Sequence, residues 1–145
     1  MPKYDLSSAQ LAQVGPIIQV TVGPSAIYAN ALRAAGRQVP GDMGAAALVD
    51  TGSAGVAITR SLARSMGLSQ IDTQKVLTPS TPTAVERPVY AISLAFTKGP
   101  VIRHIVAVDV DLDAQGIQLL LGRRLLTIAR LVYDGTASTC TLSFR

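Results

Sequence analysis

An apolar run that ends in a single acid constrains the fold of this chain more than any other feature. Residues 45–49 read AAALV and lead directly into Asp50, Thr51, Gly52 and Ser53. The run does not alternate, so it predicts a strand buried on both faces. A carboxylate at the end of such a strand is costly to bury unless it is paired, hydrogen-bonded or protonated. Because Gly52 allows a sharp turn and the Thr51 and Ser53 hydroxyls can hold the loop, we expect one acid on a rigid turn.

Asp-Thr-Gly alone is also an ordinary turn sequence, since Asp and Gly are common turn residues. Its flanks indicate more than a turn. An apolar segment follows at residues 56–58, a short helix comes next, and residues 120–127 read LLGRRLLT. This arrangement resembles the retropepsin-like (retroviral-type) aspartic proteases, which combine apolar-Asp-Thr-Gly-Ser/Ala in the first half with apolar-apolar-Gly-Arg-x-Leu-Leu in the second. The resemblance extends from Ile17 to Phe144 and is to single-domain, bacterial-type members.

The resemblance implies a mainly β fold, a closed acid-protease barrel with two or three short helices and half of an active site per chain. It also implies an aspartic endopeptidase that hydrolyses peptide bonds as a homodimer, in which one Asp50 from each chain activates water. In the family, the residue equivalent to Thr51 bonds across the two-fold axis and braces the two loops. The implied site residues are the catalytic Asp50, the supporting Thr51, Gly52 and Ser53, and the structural Gly122 and Arg123.

Two departures from the family pattern favour an alternative function. The hairpin that covers the substrate corresponds to residues 77–89, but Thr and Pro replace the Gly-rich tip of viral members. Ala54 stands where viral members have an acid that pairs with the equivalent of Arg123, so this arginine has a different partner or none. The alternative is a catalytically weak or inactive module of the same fold that serves dimerisation or binding. The predicted tip of the covering hairpin, or flap, comprises Thr78, Pro79, Ser80 and Thr81.

Composition narrows the class of protein further. The 145 residues are 48% apolar and 15% charged, which predicts one globular domain with a core of Val, Ile, Leu and Ala. The low charge density suggests that a partner chain covers some apolar surface. Scattered arginines and a 4% share of aromatic residues argue against nucleic-acid binding. The expected partners are therefore a peptide or protein substrate and a second copy of the chain.

Targeting and disulfide signals are weak in this sequence. The start lacks the apolar core of a signal peptide, and no apolar run is long enough to span a membrane. We therefore expect a soluble cytoplasmic protein. Cys140 is the only cysteine and lies in an apolar strand pattern, so we expect it in the core without a disulfide partner.

One run of acids has the spacing of a metal loop but not its other requirements. Asp109, Asp111 and Asp113 give D-x-D-x-D, which is part of a calcium-loop pattern. Ala114 stands where that loop needs Gly, and Leu120 stands where it needs a bidentate Glu. The acids are therefore predicted to be solvated at a strand end. Because one histidine cannot form a zinc site either, neither a metal nor another cofactor is expected.

Residues 1–16 are predicted to be an N-terminal tail and residues 17–145 a single domain. The tail is polar up to Gln13 and is expected to be loose or weakly helical. Beyond it, alternation and turn signals predict many short strands, which is typical of a barrel or a sandwich. Asp134-Gly135 is the strongest hairpin signal. Strands are predicted at residues 17–22, 45–49, 56–58, 71–77, 89–97, 101–110, 117–121, 130–133 and 139–144.

Capping residues predict the positions of the helices. Ser25 can cap a helix over residues 26–34, although an irregular excursion inside a hairpin is the alternative. Thr59 can cap a second helix over residues 60–66. Gly36 and Gly67 are predicted to end these two helices. The apolar stripe of the first helix is predicted to comprise Ile27, Ala31 and Ala34, with Tyr28 and Leu32 beside it. A further short helix is predicted at residues 122–128.

Overall fold

The computed structural model of the protein describes residues 2–77, 83–112 and 116–145. Short strands and a few short helices alternate along these ranges. The helices are α1 (Leu11–Val14), α2 (Ala26–Ala34), α3 (Arg60–Met66) and α4 (Arg123–Leu126). The strands are β1 (Lys3–Ser7), β2 (Ile17–Pro24), β3 (Met43–Val49), β4 (Val56–Thr59), β5 (Asp72–Val76), β6 (Val85–Ala95), β7 (Val101–Val110), β8 (Leu119–Leu121), β9 (Ala129–Asp134) and β10 (Thr139–Phe144).

Six of these strands close into a barrel. The hydrogen-bonded order is β2-β3-β8-β4-β7-β6, and β6 returns to β2 through pairs such as Thr21 with Ala95. Among the described strands, β5 pairs only with β6, and it extends the sheet beyond the closed barrel. Closure removes the unpaired edges that an open sheet would expose. The prediction of a mainly β, closed barrel is confirmed, and the described helices are all short, with α1 and α4 only four residues long.

Branched aliphatic side chains fill the barrel. Every second residue of β2 points inward, since Ile18, Val20 and Val22 are all buried. The aromatic contribution to this core is small, and one ring pair, Phe96 with Phe144, has its centroids 4.7 Å apart. The predicted aliphatic core is therefore confirmed. The largest fully buried aliphatic side chains are Ile58, Leu62, Ile92, Leu94, Leu119, Leu121, Leu142 and Val22.

The chain ends form a second, smaller sheet in the order β1-β10-β9. β1 pairs antiparallel with β10, so that Lys3 lies opposite Ser143. Tyr4 of β1 is buried in the core, and its hydroxyl lies 3.3 Å from the Thr97 hydroxyl. The expectation of a loose or weakly helical segment is therefore wrong for Lys3–Ser7. The predicted boundary of the domain at residue 17 stays a prediction.

The strand that precedes Asp50 alternates more than its sequence suggests. Ala45, Ala47 and Val49 are buried, whereas Ala46 and Leu48 are only half-buried. The prediction of a strand buried equally on both faces is therefore wrong for the second face. Alanine is apolar at both sets of positions, so the sequence does not reveal the two-residue period.

Local capping signals place α2 and α3 where they were predicted. The Ser25 hydroxyl oxygen accepts a hydrogen bond of 2.9 Å from the Tyr28 N–H, and Thr59 caps α3 in the same way. Gly36 and Gly67 follow with positive φ values of 69° and 73°. The predicted stripe of α2 is wrong, because the helix buries Ala29 and Leu32 instead. Ile27 is 64% exposed.

The C-terminal hairpin forms as its turn signal predicted. The Asp134 carboxylate accepts hydrogen bonds from the hydroxyl and the N–H of Thr136 and from the N–H of Ala137. These hydrogen bonds lower the pKa of Asp134, the Thr136 hydroxyl most of all. Cys140, on the second strand, is buried as predicted, and its burial raises the pKa of the thiol. Such a thiol is a poor nucleophile at neutral pH.

Candidate active site

Asp50 lies at the end of β3, where the barrel strand leaves the sheet and turns. Its backbone N–H donates to the carbonyl of Leu121 at 3.0 Å, which extends the pairing of β3 with β8 by one residue. Its carboxylate oxygen Oδ1 accepts a 2.9 Å hydrogen bond from the N–H of Gly52. Asp50 is half-buried, whereas Thr51 and Gly52 are exposed. The turn therefore holds the acid at the surface in one defined orientation.

β8 lies between the two strands that flank the turn. It runs parallel to β3 and antiparallel to β4, so that Leu121 pairs with both Val49 and Val56. The residues that follow β8 continue underneath the loop: the N–H of Arg123 donates to Ser53 O at 2.8 Å, and that of Arg124 donates to Ala54 O at 2.9 Å. The two sequence motifs are thus joined by main-chain hydrogen bonds.

Gly122 makes this close approach possible. A Cβ at position 122 would overlap the carbonyl oxygen of Gly55 and lie 2.6 Å from that of Ser53. The φ of Gly122 is −87°, so the position needs glycine for space and not for an unusual backbone conformation. The motif's glycine therefore lets α4 start directly against the Asp50 loop.

Arg123 finds a partner within the same loop. Its Nη1 donates a 2.7 Å hydrogen bond to the carbonyl oxygen of Thr51, one residue after the acid. Ala54 offers no carboxylate, and the main-chain carbonyl takes the place of an acidic partner. Arg123 therefore has a different partner from the acid of viral members, namely the Thr51 carbonyl.

The two hydroxyls of the loop have different surroundings. The Ser53 hydroxyl donates to the carbonyl of Gly55 at 3.1 Å, so it closes the far side of the loop and does not bond the Asp50 carboxylate. Thr51 is exposed at the tip of the turn, beside Asp50. A single chain therefore leaves the Thr51 side chain free to meet another surface.

A groove of about 440 Å³ opens beside the acid. One wall comes from residues 12–16, the last part of the predicted N-terminal tail, and the other comes from Leu131 and Tyr133 of β9. Val14 and Tyr133 are each 47% exposed, which is high for large apolar side chains. The sequence did not indicate these neighbours, because residues 12–16 and 131–133 reach Asp50 only through the pairing of distant strands.

Asp109 is buried and paired, so the prediction that it is a solvated acid is wrong. Its side chain is 1% exposed and accepts two hydrogen bonds from the guanidinium of Arg60, at 3.2 and 3.1 Å. Arg87 of β6 approaches the same carboxylate at 3.9 Å. The hydrogen bonds and charge of Asp109 raise the pKa of Arg60. Burial, and then the charge of Asp109, raise the pKa of the neighbouring Tyr90.

The segment predicted to cover a substrate, residues 77–89, follows β5 and includes the first part of β6. β5 pairs antiparallel with β6 from Asp72 opposite Val89 to Val76 opposite Val85. The predicted flap residues Thr78, Pro79, Ser80 and Thr81 lie outside the described residues. Asp113, the last acid of the D-x-D-x-D run, also lies outside them.

Two further properties concern only the described part of the chain. Within residues 2–77, 83–112 and 116–145, no three His, Cys, Asp or Glu side chains come together as a metal site would require. Among the helices in the same ranges, none has the length and apolar character needed to cross a membrane.

Comparison with known proteins places this chain in a family. A profile of the aspartyl protease family matches residues 37–125, more than half of the chain. The chain belongs to the aspartyl protease family. The matched range contains the Asp50 loop together with Gly122 and Arg123, the two motifs that the main-chain hydrogen bonds join. The family prediction made from the sequence is confirmed at this level.

Solved structures similar to this family member include a retropepsin-like aspartic protease from Rickettsia conorii. The two chains share 17% sequence identity with a TM-score of 0.48, over 89% of this chain and 92% of that one. Among curated proteins, none matches this chain.

Proposed function

We propose that this protein is an aspartic endopeptidase that hydrolyses peptide bonds as a homodimer, with Asp50 of each copy forming the catalytic pair. The observation that carries the proposal is the family match across residues 37–125, because it includes the only Asp-Thr-Gly of the chain. The geometry supports it, since Asp50 is braced by Gly52, lies half-buried at the surface and borders an open groove.

One chain supplies only half of the chemistry that this reaction needs. An aspartic peptidase uses two adjacent carboxylates that share one proton, because two like charges at such a short distance cannot both ionise cheaply. The ionised carboxylate accepts a proton from the attacking water, while the protonated one donates to the carbonyl oxygen of the scissile bond. A single Asp50 per chain therefore calls for a two-fold dimer in which the acid faces its own copy.

The alternative is a module of the same fold used for dimerisation or binding. The Thr and Pro composition of the predicted flap, Thr78 to Thr81, favours it because this segment lacks the glycines of viral members. The absence of an acid at Ala54 weighs less, since Arg123 bonds the Thr51 carbonyl and braces the loop by another route. The proposed peptidase and this alternative differ in one measurable property, cleavage that depends on Asp50.

Digestion of a peptide library across pH 3 to 8, roughly the range in which carboxylate pairs titrate, tests the proposal. We expect the wild type to cleave at acidic pH and to lose activity as the pH rises, because the pair then loses its shared proton. Asp50→Asn should abolish cleavage while the dimer persists or tightens, since the repulsion between like charges is gone. The matched control is Asp111→Asn, which removes an exposed acid directly after β7 and should cleave as the wild type does.

Two results would reject the peptidase. A wild type that forms a stable dimer but cleaves nothing over this pH range would establish the binding module. An Asp50→Asn variant that cleaves as well as the wild type would show that Asp50 is neither the catalytic acid nor the base.

A further inference from the structure

A second cleft, of about 500 Å³, lies beside α2. Its walls are α2, the loop at residues 39–42, and the ends of β2, β6 and β7 where the barrel closes. None of its lining residues belongs to the groove beside Asp50. Whatever this cleft binds is therefore bound separately from the candidate active site.

Charged side chains line the cleft without pairing with one another. Arg33 of α2, Arg103 of β7 and Asp42 of the loop all face it. Within the part of the chain that the structure describes, the Arg33 side chain donates only a 3.3 Å hydrogen bond to Asn30, one turn earlier in its own helix. Among the described residues, Arg103 and Asp42 have no hydrogen bond or ion pair with another side chain. A concave site with a few convergent, unpaired polar groups is the usual form of a binding site.

The floor of the cleft is polar and depends on one glycine. A Cβ at Gly23 would overlap the carboxylate of Asp42 and lie 3.0 Å from the hydroxyl of Ser93. The carboxylate of Asp42 therefore lies directly beside the backbone of β2, although the residue itself is exposed to solvent. Val39 and Val101 line the same cleft and add apolar surface beside these acceptors.

We propose that this cleft binds an extended peptide segment that carries acidic side chains. The planar guanidinium groups of Arg33 and Arg103 suit carboxylates, which they can bind through two parallel hydrogen bonds. Asp42 and Ser93 offer acceptors for the N–H groups of the peptide backbone, which a carboxylate-only ligand would lack. The two arginines outnumber Asp42, so the cleft has a net positive charge that favours an acidic ligand.

Asp42 also favours an acidic peptide over a nucleic acid as the ligand of this cleft. A phosphate backbone carries closely spaced negative charges, and one of them would meet the Asp42 carboxylate that lines the cleft. The lining includes no aromatic side chain on which a base could stack. An acidic peptide has carboxylates separated by backbone N–H groups. It therefore fits a cleft that presents two arginines and one carboxylate better than a phosphate backbone does.

Fluorescence anisotropy of a labelled, end-blocked peptide of alternating Ala and Glu tests the proposal. The full chain carries Asp50→Asn, so that hydrolysis cannot consume the probe and the result is independent of the proposed peptidase activity. We expect the Glu peptide to bind, the corresponding Gln peptide to bind much more weakly, and added salt to weaken the binding. Arg103→Gln and Arg33→Gln should each raise the Kd about tenfold, the effect of losing one charge-assisted hydrogen bond.

Arg130→Gln is the matched control, because Arg130 is an exposed arginine on β9, outside the lining of this cleft. Arg130→Gln should leave the Kd unchanged. If it raises the Kd as much as Arg33→Gln and Arg103→Gln do, the binding is general charge attraction and the proposal is overturned. No binding of the Glu peptide, or equal binding of the Gln peptide, would overturn it too. A single-stranded oligonucleotide that binds more tightly through the same two arginines would replace the peptide by a nucleic acid.

Discussion

At the scale of single residues, the Asp50 loop depends on atoms that the motif letters do not describe. The sequence predicted Gly122 and Arg123 as a structural pair, but their roles follow from contacts 67 or more positions away along the chain, with Gly55 and Thr51. Gly122 leaves room for two carbonyl oxygens, and Arg123 donates a hydrogen bond to a third. Both residues therefore act on the backbone of the loop and not on the carboxylate itself.

Arg123→Gln should destabilise the protein, because it removes the 2.7 Å charge-assisted hydrogen bond to the Thr51 carbonyl. We expect a loss of about 1 to 2 kcal/mol in the free energy of unfolding, measured by chemical denaturation. Arg124→Gln changes the same charge at the next position, which has only main-chain contacts with the loop, and is the matched control. Equal losses in the two variants would mean that the general charge of α4, and not the Thr51 contact, stabilises the loop.

Asp109 shows why some residues could not be predicted. Its partner Arg60 lies 49 positions earlier in the chain. The two meet because β4 runs parallel to β7 and pairs Ile58 with Asp109, which places the start of α3 over the carboxylate. Alternating acids near a strand end contain no sign of this pairing in the sequence. The pattern therefore predicts solvated acids, and for Asp109 this prediction is wrong.

At the scale of whole elements, the sequence predicted the helices and turns that depend on nearby residues. It did not predict the elements that depend on pairing with distant strands. The capped start of α3 and the Asp134 turn depend on hydrogen bonds within three residues, and both formed as predicted. β1 depends on β10 at the opposite end of the chain, so its polar sequence looked like a loose tail. The stripe of α2 was wrong for the same reason, since the sheet beneath the helix decides which face is buried.

The charge cluster around Asp109 connects three elements, and we predict that it stabilises them in a ranked order. Arg60→Gln should lower the Tm more than Arg87→Gln does, because Arg60 makes two hydrogen bonds to the buried carboxylate whereas Arg87 approaches only to 3.9 Å. Arg64→Gln, one turn further along α3 and exposed, is the control and should leave the Tm nearly unchanged. Thermal unfolding followed by circular dichroism gives the ranking, and a reversed order would contradict the geometry.

Hydrogen exchange of the β5–β6 hairpin adds a second readout for the same variants. Arg87 lies in the part of β6 that pairs with β5, opposite Gln74. Its loss should therefore speed exchange in the hairpin arms more than in β4, which Arg60 follows directly. Uniform acceleration over the whole barrel would indicate global destabilisation and no local role of Arg87.

At the scale of the whole molecule, the surface beside Asp50 is the part that a single chain leaves unfinished. The acid, the exposed Thr51 and the apolar side chains of Val14 and Tyr133 lie around one groove. The sequence predicted the closed barrel and the Asp turn but not this apolar border. A second copy of the chain, placed with its own Asp50 against this one, would cover the border and complete the carboxylate pair.

Thr51→Ala tests this assembly, because the resemblance to the retropepsin-like proteases implies that the Thr51 hydroxyls brace the two loops across the two-fold axis. The loss of that buried hydroxyl pair should weaken the dimer by about 1 to 3 kcal/mol, measured by sedimentation equilibrium, and should lower the cleavage rate with it. Thr73→Ala removes an exposed threonine hydroxyl from β5, away from the groove, and should leave the dimer unchanged.

If Thr51→Ala dimerises and cleaves as the wild type does, Thr51 has no role across the axis. If the wild type is a monomer at high micromolar concentration and still cleaves peptides, one Asp50 suffices, and the homodimeric mechanism itself is wrong.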